Sequence, residues 1–285
     1  HLIHVANSFI NVAGALPSPT SRRTDARAYR YSALAPSSAG TTTDTMIAAL
    51  GDAAWLMGLE RNSDLVIMSS YAPLWVNESS YQWSTNLIGF NNTSSYGSPS
   101  FYVQAMLSQN RGANLVSNSV AAANGLQTLV TKTGSTYYVT VINPMGTANS
   151  STINLIGAAS VSPTANVKTL AASAGNAVNS LANPTNIVPA ASTFAGLGTT
   201  FNYSFPAYSL TILEFTATID TPTVATVAAA SPSPVTGTST NLSVLGADIG
   251  GEALLTYEWS ASGPSDVSFS SNNNNGAKNT VATFS

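Results

Sequence analysis

The sequence has 285 residues, 44% hydrophobic and only 7% charged, with a net charge of −3, a pI near 5.2 and no cysteine. That length accommodates two domains and part of a third. The acidic balance argues against nucleic acid, which calls for clustered Lys and Arg; the lack of cysteine excludes disulfides and thiolate metal sites; and no apolar run is long enough to span a bilayer.

Ser, Thr, Asn and Ala stand where charged residues usually stand, which reads as the β-rich surface of a secreted protein. The chain opens at His1 without a methionine and reads as a fragment or a processed product. His1–Ile10 is mildly apolar but lacks the basic start and small-residue cleavage site of a signal peptide. Residues 1–30 form an irregular or foreign segment: Pro17–Arg30 gathers Pro17, Pro19, Asp25 and four of the six arginines, a solvated composition without amphipathic pattern.

Thr41–Asn77 carries the clearest regular structure. Thr41–Thr43 or Asp44 can cap a helix, because a side-chain oxygen there accepts an orphan backbone N–H. Ile47, Leu50, Ala54, Met57 and Gly58 then recur on one helical face, with Asp44 and Asp52 expected on its polar side. Leu65-Val66-Ile67-Met68 reads as a strand covered on both sides, and Pro73 begins a loop. A helix feeding a buried strand is an α/β signature. Phe101–Met106 is expected to enter the next domain.

From Leu115 the pattern turns β. Gly125–Lys132 and Tyr137–Pro144 flank Gly134-Ser135 and predict a hairpin. Ser151–Ile156, Ala165–Leu170, Thr199–Phe205 and Tyr208–Phe215 predict further strands of an antiparallel sandwich. Residues 218–236, rich in Thr, Ala, Pro and Ser, read as a tether. Asn241–Leu245, Leu254–Ser260, Val267–Ser270 and Thr280–Ser285 resemble strands of an immunoglobulin-like module with Trp259 as its core tryptophan, truncated at Ser285. Asn272–Asn275 reads as a low-complexity turn.

Asn77, Asn91, Asn92, Asn149, Asn202 and Asn241 each open a glycan acceptor sequon. The two histidines, His1 and His4, lie together at the start, so histidine zinc sites and Ser/His/Asp catalysis lack parts. No metal site and no cofactor are expected.

The blocks GDAAWLMGLERNSDLVIMSSYAPLWVN, Gln82–Ile88, Tyr96–Gln104 and Tyr203–Glu214 together resemble the C-terminal part of family 51 glycoside hydrolases, the fungal-type α-L-arabinofuranosidases. The resemblance implies a mixed fold. Residues 31–106 would be the end of a (β/α)8 barrel, 107–217 a jelly-roll-like antiparallel β-sandwich, 218–236 a linker and 237–285 the partial immunoglobulin-like module. It implies an extracellular retaining hydrolase of terminal α-L-arabinofuranosyl side chains. Its partner would be arabinose-containing plant polysaccharide, with neither nucleic acid nor membrane. Tyr71, Ala72, Pro73, Asn77 and Trp83 would lie near the active-site mouth, with Tyr71 and Trp83 as sugar contacts; packing is the competing role for both aromatics.

The same resemblance places Arg30, before Tyr31-Ser32, where the family carries its nucleophilic glutamate, and gives the acid/base glutamate no counterpart in residues 1–29. A retaining glycosidase needs two carboxylates about 5 Å apart. Asp25, Asp44, Asp52, Glu60, Asp64 and Glu78 form no evident pair, with Glu60 and Asp64 read as ion-pair partners of Arg61, and arginine stays protonated. The expectation is therefore an arabinofuranosidase portion without turnover of its own. The competing readings are a non-catalytic carbohydrate-binding or spacer protein and a gene-model fragment.

Overall fold

The computed structural model describes residues 43–80, 85–118, 125–263 and 265–285. It is mostly antiparallel β-sheet with two helices, and divides into two units. The first holds most of the chain up to Thr216; the second comprises Asn154–Val161, Gly198–Thr200 and Ala217–Ser285.

Helix α1 (Met46–Arg61) begins one residue later than the cap expected from sequence. Thr45 is the N-cap and its hydroxyl accepts the Ala48 N–H at 3.4 Å. The buried face is Met46, Ala49, Leu50, Ala53 and Met57, while Ile47 is exposed. Asn62 ends the helix, its side chain donating to the Gly58 carbonyl at 2.8 Å. Helix α2 (Pro99–Gln109) has Ser98 as N-cap and Pro99 in its first turn, where a missing N–H costs nothing. Phe101–Met106 is therefore a turn and a half of helix within the first unit rather than a crossing segment.

The expected buried strand at Leu65–Met68 does not form. No described strand pairs with it, and Leu65, Ile67 and Met68 are exposed, Ile67 at 65%. A parallel barrel strand is buried by strands on its edges and helices on its faces; lacking both among the described residues, this run stays irregular. Downstream, β1 (Trp75–Asn77), β2 (Ile88–Phe90) and β3 (Ser95–Gly97) make a small sheet, parallel between β1 and β2 and antiparallel between β2 and β3.

The main sheet contains β4 (Asn114–Val116), β5 (Gln127–Thr133), β6 (Thr136–Asn143), β9 (Thr164–Ala171), β10 (Ala190–Ala195) and β12 (Ser209–Ile219), ordered β10-β9-β12-β6-β5-β4. The hairpin β5–β6 turns at Gly134, whose φ of 58° suits glycine. β8 (Ala158–Val161) joins the far end of β12, and β7 (Asn149–Asn154) pairs with β11 (Thr200–Phe205).

Alternation along β12 explains the layering. Leu210 and Ile212, with Leu129, Ile142 and Leu170, meet Leu50, Met57, Val103 and Met106 of the helices in one core. Phe215 faces the other way, stacking on Tyr137 with ring centroids 6.0 Å apart and meeting Phe201 of β11 edge-on. Both faces of β12 are buried because it pairs with β6 and β9 and is covered on each side.

In the second unit β13 (Thr223–Ser231), β14 (Ser239–Ala247), β15 (Val267–Phe269) and β16 (Asn279–Phe284) form an antiparallel sheet ordered β13-β14-β16-β15. Thr223–Ser231, read from composition as tether, is thus strand: Val224, Thr226 and Ala229 find register partners on β14. Leu254–Ser260 is not a strand but follows a 3₁₀ turn (Glu252–Leu254) and makes a single bridge, Tyr257 to Asn274. The asparagine run is a specific clip. Asn272 accepts from the Trp259 N–H and donates to the Trp259 carbonyl, both at 2.8 Å, and Asn274 caps the 3₁₀ turn at Asn275–Lys278. Trp259 is half-buried, its indole N–H on the Ala277 carbonyl at 2.6 Å.

Candidate functional site

Buried polar side chains gather where α1, α2 and the segment before β1 meet. Asp44 precedes the cap of α1 and Asp52 stands two turns further on. Spacing of i+3 from Ala49 and i+4 from Ala48 brings Asp52 onto the buried side, where the two alanines leave room. Asp44 is 0% and Asp52 3% exposed, the reverse of the polar side expected from sequence. Ser100, in the first turn of α2, is buried and its hydroxyl lies 2.6 Å from Asp52 Oδ2. Tyr71, half-buried, donates its phenolic O–H to Asp44 Oδ2.

Among the described residues no cation pairs with these two carboxyls. Burial raises the Asp44 carboxyl, and the hydroxyls of Tyr71 and Ser100 partly offset it. Burial and then the charge on Asp44 push Asp52 up to about 8, against a smaller opposing contribution from Ser100. Like charges in a dry site cannot both ionise cheaply, so the site favours the protonated form of Asp52. The Ser100 hydroxyl has one hydrogen, which it donates to Asp52 Oδ2. Among the described residues Asp44 Oδ1 has no hydrogen-bond partner. The arrangement fastens α1 to α2 and fixes the Tyr71 ring.

The other carboxylates are separate. Glu60 is raised by burial and offset by Arg111, while Arg61 donates to the Thr128 carbonyl at 2.6 Å; the expected pairing of Glu60 and Asp64 with Arg61 is thus replaced. Asp64 is exposed. Glu78, just past β1, accepts from Tyr96 of β3, which closes the small sheet on itself. Among the described residues no three His, Cys, Asp or Glu side chains gather to hold a metal, and no helix is long and apolar enough to cross a membrane.

Of the residues singled out from sequence, Arg30 and Trp83 lie outside the described residues, and Tyr71 is held by Asp44. The sequon asparagines scatter. Asn77 and Asn91 fold back on their own turns, Asn77 Oδ1 taking the Ser79 N–H at 3.0 Å and Asn91 Oδ1 the Thr93 N–H at 2.9 Å. Asn92 is exposed, and Asn149 is half-buried at the start of β7. Asn202 and Asn241 are exposed on strands, with Asn202 accepting from the Thr152 hydroxyl at 2.6 Å.

The family profile of the α-L-arabinofuranosidase C-terminal domain matches residues 25–209, well over half of the chain. The chain belongs to this family. α-L-arabinofuranosidase A of Aspergillus niger is 33% identical over 171 residues, 59% of this chain and 26% of that protein. α-L-arabinofuranosidase 1 of Arabidopsis thaliana is 44% identical over 78 residues, 27% of this chain and 12% of that protein. The arabinose-bound MgGH51 α-L-arabinofuranosidase superposes with a TM-score of 0.58 at 32% identity, covering 62% of this chain and 28% of its own. The chain therefore corresponds to a C-terminal portion of a family 51 arabinofuranosidase and spans about a quarter of the fungal relative's length.

Proposed function

We propose that this chain is the C-terminal portion of an extracellular α-L-arabinofuranosidase that removes terminal α-L-arabinofuranosyl side chains from arabinan or arabinoxylan by a retaining mechanism. The observation that carries this reading is the family match over residues 25–209. In this reading residues 31–106 close the catalytic barrel, 107–217 form the accompanying sandwich, and 237–285 belong to an immunoglobulin-like module. The low charge and the six sequons support secretion.

The chain by itself does not hydrolyse glycosides in this reading. Its close carboxyl pair is sealed, and by resemblance Arg30 occupies the nucleophile position. Purified chain mixed with a chromogenic α-L-arabinofuranoside should show no turnover above buffer. The segment before Tyr31 is foreign sequence in this reading: a transcript reading Glu at codon 30 would support that, and one reading Arg would sink it. A non-catalytic carbohydrate-binding role is the second reading, favoured by the uncharged surface; retention on arabinan without turnover, in a transcript lacking the barrel, would select it.

A further inference from the structure

An open groove of about 450 Å³ lies on the small sheet, lined by Trp75, Phe90, Asn91, Thr93, Ser94 and Ser95. We propose that this groove is a binding subsite for a neutral polysaccharide chain, with the Trp75 ring as its stacking platform and the Asn91–Ser95 turn as its hydrogen-bonding rim. The choice of an arabinose-bearing polysaccharide rests on the function proposed above; the groove's taste for neutral carbohydrate rests on its own chemistry.

Three observations carry it. Trp75 is 58% exposed although it lies in a strand. Phe90 meets it edge-on, with centroids 6.1 Å apart and planes at 81°, which sets the indole's orientation before any ligand arrives. An exposed, fixed aromatic ring offers its face to the C–H side of a sugar. The rim is pre-set as well. Asn91 Oδ1 takes the Thr93 N–H, the Thr93 O–H at 3.2 Å and the Ser94 N–H at 2.8 Å, and the Asn91 N–H donates to the Ser94 carbonyl at 2.9 Å. This uses the amide oxygen inside the turn, and Asn91, Ser94 and Ser95 line the groove as neutral polar residues. Finally, among the described residues no charged side chain lines the groove; Glu78, from the end of β1, is turned to Tyr96. A neutral wall disfavours ions and phosphates, because their desolvation would go uncompensated, and suits a hydroxyl-rich neutral chain.

The test uses the full chain made without glycosylation and run through native gels cast with arabinoxylan, arabinan or an unbranched glucan. Wild-type protein should be retarded by the arabinose-bearing polymers. Trp75→Ala should weaken retention about tenfold or more, and Trp75→Phe, which keeps a smaller ring, should fall between. Both variants should stay folded with only a small shift of the melting midpoint, since the ring is mostly exposed and its packing contact is with Phe90. Absence of retardation in wild type, or equal retardation of Trp75→Ala, overturns the subsite. Retardation by the glucan alone, lost in Trp75→Ala, keeps the subsite and counts against the arabinofuranosidase reading. If protein from a glycosylating host carries a glycan on Asn91 or Asn92 and that glycan alone shields Trp75 from quenching, the occupant is the chain's own sugar and the proposal fails.

Discussion

Leu65–Met68 and Leu210–Phe215 are short apolar runs of the same kind, and they end in opposite surroundings. Leu210 and Leu213 are fully buried, with β6 and β9 on the edges of their strand and cores on both of its faces. Ile67 and Met68 are exposed, and no described strand lies alongside. Composition makes a strand possible; neighbours make it form. β12 finds its ladder partners, β6 and β9, and its core partners on α1 and α2 among the described residues, whereas Leu65–Met68 finds no strand there.

The largest effect that sharpens this contrast is in the core. Leu210→Ala should lower stability by about 2–5 kcal/mol in denaturant titration, from lost burial plus a cavity, while Ile67→Ala should stay within about 0.5 kcal/mol. Equal losses would break the comparison.

The carboxyl pair comes next. Asp52 has a folded value near 8 against an ordinary 3.8, so between those values the native state binds the extra proton. Stability therefore falls as pH rises from about 4 to about 8, by up to about 1.4 kcal/mol per pH unit, and is level above. Asp52→Asn should flatten that limb, measured by denaturant midpoints near pH 5, 7 and 9. Thr45→Ala should cost about 1 kcal/mol by removing the cap of α1.

The smallest effect is in the second unit. Glu252 is held below its ordinary range by Lys278, 2.8 Å away, and by Tyr257. Its contribution is present above the ordinary value of 4.5 and lost as pH falls through the lowered one, opposite in sign to Asp52. Glu252→Gln should flatten only the acid limb of that unit's amide protection.

Sequence reading recovered what is local. Period-two alternation located β5, β6, β9, β11 and β12, and helical spacing located α1. It misplaced what depends on partners. Thr223–Ser231 reads as tether because Ala and Thr lack bulk, yet pairing with β14 makes it strand. Leu254–Ser260 has strand composition but no ladder, because Asn272 takes up the backbone of Trp259. Asp44 and Asp52 read as polar-side residues because a charge pattern cannot show that Ser100 and Tyr71 arrive from elsewhere to hold them; Ala48 and Ala49, one turn before Asp52, were the available signal.

Amide hydrogen exchange across the two apolar runs tests the account most directly. The amides of Ile67 and Met68 should exchange at nearly the rate of an unstructured peptide, while those of Leu210–Leu213 should be protected to the level of global unfolding. Comparable protection in both runs would mean that Leu65–Met68 is a paired, buried strand after all, and would contradict the claim that its neighbours are absent from the described chain.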